Sequence, residues 1–215
     1  MNAISRREFL AATAAVLGSR AALAATEPPP LRGIFPIMQT PFTDAGALDL
    51  GTLARETQFL HRIGVQGMTW PQLASEYATL TYDERIDGAE TIVKTVRALD
   101  ARTRPAVVIG VQAADVASAV KYARQADTLG PDAIIAIPLD GGKDDAKQME
   151  YYAAIGKACS RPLIVQAIGP MSVDLVLQMA KRIPTLHYVK DEAGDRPCVG
   201  VRQPGRGAKS HARAR

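Results

Sequence analysis

From Gly33 onward the chain repeats one pattern, a short apolar run followed by a longer amphipathic stretch, and this alternation limits the possible folds more than any other feature. The runs are Ile34 to Met38, Gly67 to Trp70, Ala106 to Val111, Ala133 to Pro138, Leu163 to Ala167 and Leu186 to Lys190. Between them the spacing predicts helices over Leu48 to Ile63, Tyr82 to Ala101, Ala113 to Leu129, Asp144 to Cys159 and Val173 to Arg182. In the third of these, Val116, Val120, Ala123 and Ala126 recur at intervals of three and four, the period of a buried helical stripe. Gly64, Gly130 and Pro184 stand where helices should stop, and Asp115 and Asp145 are placed in first helical turns. Strands that are apolar throughout, each followed by a helix, call for a parallel sheet covered by helices.

An open doubly wound sheet and a closed (β/α)8 barrel both satisfy that pattern. The open sheet usually carries a glycine-rich phosphate turn after its first strand. Here the first run ends in Gln39-Thr40-Pro41-Phe42, with no G-x-G-x-x-G nearby. Gly141-Gly142-Lys143 lacks the upstream Gly and the following Ser or Thr of a P-loop, so it reads as a turn. The barrel is the expected fold.

Charge is distributed unevenly. The net +4 of the 215 residues conceals +2 in residues 1–24 and +6 in residues 196–215, which leaves an acidic body of −4. The folded part therefore offers no basic footprint for nucleic acid. Two cysteines cannot build a disulfide scaffold, and no His and Cys residues fall at zinc-site spacing, so neither a metal nor a cofactor is expected.

The first residues read as an export signal. Ser5-Arg6-Arg7-Glu8-Phe9-Leu10 resembles the twin-arginine motif, and the Ala-rich run after it closes on Ala22-Leu23-Ala24, a small-x-small cleavage site. The run is too short to anchor the chain in a bilayer. Residues 1–24 are thus expected to be a signal peptide, 25–32 a proline-rich linker, and the mature protein periplasmic or secreted.

Within the body, Thr40-Pro41-Phe42, Gly64-Val65-Gln66-Gly67, Glu76, Leu80-Thr81 and Glu84-Arg85 follow one another in order. Gly110-Val111, Leu129-Gly130-Pro131-Asp132-Ala133, Val189-Lys190-Asp191 and Gly194-Asp195 continue the series. As an ordered set they resemble the dihydrodipicolinate synthase / N-acetylneuraminate lyase family over residues 33–195. The resemblance implies a (β/α)8 barrel, here represented by about six βα units. It also implies a class I aldolase acting on pyruvate or a related 2-keto acid, usually as a homo-oligomer. Lys190 falls at the family's strand-six Schiff-base position, where the chemistry needs an amine able to attack a carbonyl carbon. By period two, Leu186, Tyr188 and Lys190 should share the face that lines the barrel.

Other expected site positions depart from the family. Its usual Gly-Thr-Thr-Gly-Glu is replaced by Gln72-Leu73-Ala74-Ser75-Glu76. Gln72 and Ser75 remain possible donors to a substrate carboxylate, whereas Leu73 and Ala74 cannot relay protons. The strand-five tyrosine, the family's general acid/base, aligns with Gln166, which can bind substrate but does not titrate. The Asn after it becomes Ala167, and the tyrosine pair after strand four is missing near Leu139-Asp140. Tyr188, Tyr77 and Glu76 are candidate replacements for the lost proton donor.

A complete barrel of this type needs ~250 residues. Residues 196–215 carry no acid and no strand or helix period, and the family similarity stops abruptly before them. A basic arm is one reading; out-of-frame translation of a GC-rich gene is the favoured one, and a chain so shortened is expected to have impaired activity and poor solubility. Cys159 and Cys198 could pair in an oxidising compartment. The leading functional expectation is an exported enzyme that cleaves or condenses a 2-keto acid through Lys190. The alternatives are a non-catalytic binder of small carboxylates or sugar acids on the same barrel, and an inactive fragment.

Overall fold

The computed structural model describes residues 30–192. The predicted signal peptide, most of the linker, Gly194-Asp195, Cys198 and the basic tail lie outside the described residues.

Five helices begin where a short polar side chain can accept from the backbone amides that have no partner in a first turn. In α1 (Leu50–Arg62) Asp49 accepts from Thr52 N. In α2 (Tyr82–Arg97) Thr81 and Glu84 form a reciprocal capping box. In α3 (Val116–Leu129) Asp115 accepts from Ser118 N. In α4 (Asp145–Ala158) Asp144 accepts from Ala146 and Lys147 N, and in α5 (Val173–Arg182) Ser172 accepts from Leu175 N. Each cap is worth ~1 kcal/mol. Asp115 is thus a cap rather than a first-turn residue, and α3 starts three residues later than its apolar pattern suggested. α2 stops at Arg97 instead of continuing to Ala101, because residues 98–103 tighten into turns around Asp100. Gly130 ends α3 with φ +68°, a left-handed geometry that only glycine adopts without strain.

The strands are β1 (Gly67–Trp70), β2 (Ala106–Gly110), β3 (Ala133–Ala136), β4 (Leu163–Ala167) and β5 (Leu186–Asp191). All pair in parallel, and their order in the sheet, β1-β2-β3-β4-β5, is their order in the chain. A doubly wound sheet reverses its strand order at a switch point. No reversal occurs here, and the sheet is the wall of a partial (β/α)8 barrel.

The first apolar run does not become a full strand. Residues 34–38 lie extended beside β1, with Met38 N donating to Thr69 O and Thr69 N to Pro36 O, but the pairing amounts to a single bridge, Ile37 to Thr69. Pro36 has no N–H for a ladder and suits only an edge position. Counting this segment gives six consecutive strand positions among the described residues, the first five each followed by a helix.

The two sides of the sheet are packed differently. Met68, Trp70, Val107, Ile109, Ile134, Ala136, Leu163 and Val165 alternate along the strands and join Ile92, Val96, Ala119, Ala123, Tyr151, Ile155 and Met179 from the helices in one core. The intervening Val108, Ala133 and Ile135 are buried outside that core, on the inner face. The strand residues between core positions thus define the barrel interior.

In β5 the period-two reading needs a correction. Leu163 pairs with Leu186 but Ile164 pairs with Tyr188, a register shift that inserts His187 as an extra residue. Leu186 therefore stays with Leu163 against the helices. Tyr188 and Lys190 follow Ile164 and Gln166 onto the inner face.

Candidate functional site

In a parallel barrel, side chains at the C-terminal strand ends converge on one rim. The residues singled out from sequence fall there, just after β1 and near the ends of β4 and β5. Among the described residues their hydrogen bonds form two groups.

The first group follows β1 and is fully buried. The Gln72 amide nitrogen donates to Pro71 O at 3.2 Å and to Gln112 Oε1 at 3.1 Å, while Gln112 Nε2 donates to Pro71 O at 2.8 Å. Ser75 Oγ accepts from Gln72 N at 3.0 Å and donates to Met38 O at 2.6 Å. Thr40 ties the same loop down, since its hydroxyl donates to Ser75 O and accepts from the Trp70 indole. In this arrangement the Ser75 proton is committed to the backbone, and both Gln72 N–H groups are committed as well. What Gln72 retains is a buried Oε1 with no hydrogen-bond partner among the described residues. Gln72 therefore presents an acceptor, where a carboxylate ligand needs donors.

Arg85 buttresses this group from α2. Its guanidinium is buried, donates to Gln112 O at 2.8 Å and Gly110 O at 2.9 Å, and stacks 3.7 Å from the Tyr122 ring centroid. Arg85 thus fixes the end of β2 and, through Gln112, the Gln72 amide. Gly110 is needed for the same closeness, because a Cβ there would overlap the Pro71 carbonyl oxygen. Within the Glu84-Arg85 and Gly110-Val111 signatures, these scaffold contacts explain Arg85 and Gly110.

The second group contains Lys190. Gln166 and Lys190 are register partners on neighbouring strands. Lys190 Nζ lies 2.7 Å from Glu192 Oε1, and Gln166 Nε2 donates to the other Glu192 oxygen. The backbone continues the ladder through Glu192 N, which donates to Ala167 O at 2.8 Å. Burial disfavours the Glu192 anion, but the contacts with Lys190 and Gln166 and the lysine charge outweigh it, so its carboxyl is held below the usual 4.5. The Lys190 side chain as a whole is 32% exposed, while its Nζ is shielded from solvent. Chemically, the group offers an amine, a carboxylate ion-paired with it and an amide that orients the carboxylate.

Of the candidate replacements for the lost tyrosine, Glu76 and Tyr77 are placed elsewhere. Glu76 is exposed and ends the turn after Ser75 with φ +53°, and the Tyr77 ring lies 5.6 Å from the Arg85 guanidinium. Tyr188 shares the inner face with Lys190. Two further tyrosines, Tyr151 and Tyr152, are buried in α4. Burial pushes Tyr151 up to about 12 and Tyr152 well above its ordinary value, so neither exchanges protons near neutrality. Cys159 is buried and free, its thiol pushed up to about 11 by burial. The tempting Gly141-Gly142 pair forms a left-handed turn after β3. Among the described residues no three His, Cys, Asp or Glu side chains gather to hold a metal, and no helix is long and apolar enough to cross a membrane.

Glu192 and Gln112 were not singled out from sequence. Glu192 carried a readable signal, since residues two apart in an extended segment share a face, which puts its carboxylate beside Lys190. Gln112 carried none, because its role depends on Pro71 and Gln72 arriving from another strand.

Comparison with known proteins agrees with this architecture. A model of the dihydrodipicolinate synthetase family matches residues 30–201. The chain is 28% identical over 169 residues to a 4-hydroxy-tetrahydrodipicolinate synthase of Rhizobium meliloti, covering 76% of this chain and 56% of that protein. It is 30% identical over 169 residues to an L-2-keto-3-deoxyarabonate dehydratase of Azospirillum brasilense, covering 75% of this chain and 53% of that one. Among solved structures, the sialic acid aldolase of Ruminococcus gnavus superposes with a TM-score of 0.70 at 21% identity, covering 76% of this chain and 55% of its own. The chain thus spans about half the length of the curated relatives it matches. The family signatures, the chain-ordered parallel sheet and the lysine on its inner face lead to one assignment: this chain belongs to the dihydrodipicolinate synthetase family.

Proposed function

We propose that the protein acts on a 2-keto acid such as pyruvate, holding its carbonyl carbon as a Schiff base on Lys190 for aldol cleavage or condensation. The observation that carries this reading is the placement of Lys190 on the inner face near the C-terminal end of β5, with a carboxylate 2.7 Å from its amine. A protonated imine withdraws electrons from the neighbouring carbon, which allows a carbon–carbon bond there to form or break. Gln166, which does not titrate, is left to orient that carboxylate rather than to move a proton.

The test is to incubate the protein with pyruvate and borohydride and to map the product by mass spectrometry. One reduced pyruvyl group on Lys190 is expected. A folded protein that traps none of several 2-keto acids would sink the reading and leave a binder of small carboxylates as the function. The expected site of action is outside the cytoplasm, by twin-arginine export with cleavage near Ala24. Changing Arg6 and Arg7 together to Lys should then retain the precursor in the cytoplasm, and undiminished export of that variant would show the motif to be accidental.

A further inference from the structure

The Schiff-base reading leaves one chemical task unassigned. Forming the imine moves protons from nitrogen to oxygen, and the residue aligned with the family's proton-transferring tyrosine is Gln166, which has no exchangeable acid. The structure places a carboxylate at the required point. Glu192 Oε1 is 2.7 Å from Lys190 Nζ, and Glu192 Oε2 accepts from Gln166 Nε2. The backbone bond from Glu192 N to Ala167 O holds this residue in line with the strand. The Nζ atom itself is shielded from solvent, and among the described residues neither it nor the buried Gln166 Oε1 makes an aligned hydrogen bond, so its contact with Glu192 is an ion pair. Glu192, not bulk water, is therefore the proton acceptor adjacent to the amine.

We infer that Glu192 is the catalytic acid/base of the Lys190 chemistry and that Gln166 is its positioning residue. This inference rests on the Schiff-base reading. The step balances without any further reactant. The resting pair is an ammonium on Lys190 and a carboxylate on Glu192. Glu192 takes one proton, the neutral amine attacks the keto carbon, a C–N bond forms, and the carbonyl oxygen receives that proton from Glu192. Glu192 then removes a second proton from nitrogen and passes it to the same oxygen, the C–O bond breaks, and water leaves. Two of the three ammonium protons depart in the water and one remains on the iminium nitrogen. Glu192 is a carboxylate again, ready to accept a proton from the carbon next to the imine. The amide of Gln166 keeps one carboxylate oxygen fixed while the other faces the amine.

The experiment measures the rate at which the full-length chain gains a borohydride-reduced pyruvyl group, by intact mass at short incubation times. The Glu192→Gln variant is expected to trap pyruvate on the order of 100-fold more slowly, the lower end of what a positioned acid/base contributes. Glu192→Ala should be equally slow and should recover with added formate, in proportion to its concentration, because a small carboxylic acid fits the space vacated. A purely structural role would show no such recovery. If the wild-type chain traps pyruvate and Glu192→Gln keeps pace, the Glu192 assignment is overturned and the Schiff base stands. Absence of formate rescue in Glu192→Ala likewise overturns the assignment alone. If the wild-type chain traps no 2-keto acid, both readings fall together.

Discussion

Replacing Arg85 by Met tests whether the β1–β2 rim depends on one buried cation. The guanidinium makes two charge-assisted hydrogen bonds to the carbonyls of Gly110 and Gln112. Bonds of that kind contribute ~1.5–3 kcal/mol each. Stacking on Tyr122 at 3.7 Å adds ~1 kcal/mol or more. Methionine fills similar volume and removes the cost of burying a charge, which offsets part of the loss and leaves a net destabilisation of about 3 kcal/mol. With a urea slope of ~2 kcal/mol per M, the midpoint should fall by ~1.5 M. Trp70 is the single tryptophan of the chain and is buried beside this loop, so its fluorescence reports the transition directly. Arg85→Lys should recover only part of the difference, since an ammonium cannot span both carbonyls in a planar fork. A shift for Arg85→Met below ~0.5 M at unchanged slope would mean that the two carbonyls find other partners and that the buttress argument is wrong.

Gly110→Ala should be more damaging than Arg85→Met, because the clash is with the Pro71 carbonyl, a backbone atom that cannot rotate away; a folded variant with an unchanged urea midpoint would contradict this. Asp127 is held below its usual 3.8 chiefly by hydrogen bonds from Ser160. Its stabilising contribution is thus present above about pH 4 and lost as pH falls through the depressed value. The melting temperatures of wild type and Asp127→Asn should therefore differ near pH 6 and converge as pH falls through that depressed value. Cys159, buried and with its thiol near 11, should resist maleimide at pH 7 in the native protein and react on unfolding, as peptide mapping would show.

The sheet was largely legible because each apolar run is short, bounded by turns and followed by a helical period. Runs ending at Trp70 and Ala167 match β1 and β4 residue for residue. The failures came from effects that act across the chain or against the local pattern. Pro36 sits inside an apolar run that otherwise reads as a strand, yet its missing N–H confines that run to bridging at the edge of β1. The bulge at His187 is set by pairing with β4, and alternation within β5 alone does not reveal it. At the site, Lys190 drew attention only through the ordered family signatures, since a lysine at a strand end is common. Ser75 looked available as a donor because its acceptor, the Met38 carbonyl, is supplied from far upstream.

A sheet whose spatial order equals its chain order has a consequence for how the molecule is made. No pairing in it reaches past the neighbouring βα unit. Each strand leaving the ribosome finds its partner edge already synthesised, so the wall can lengthen one strand at a time without waiting for a distant segment. Loop closure at each addition spans a single helix and its flanking turns, which keeps the entropic cost low and nearly equal from one addition to the next. Lys190 therefore enters the growing wall last among the described units, and Gln166, its neighbour on β4, is in place to receive it.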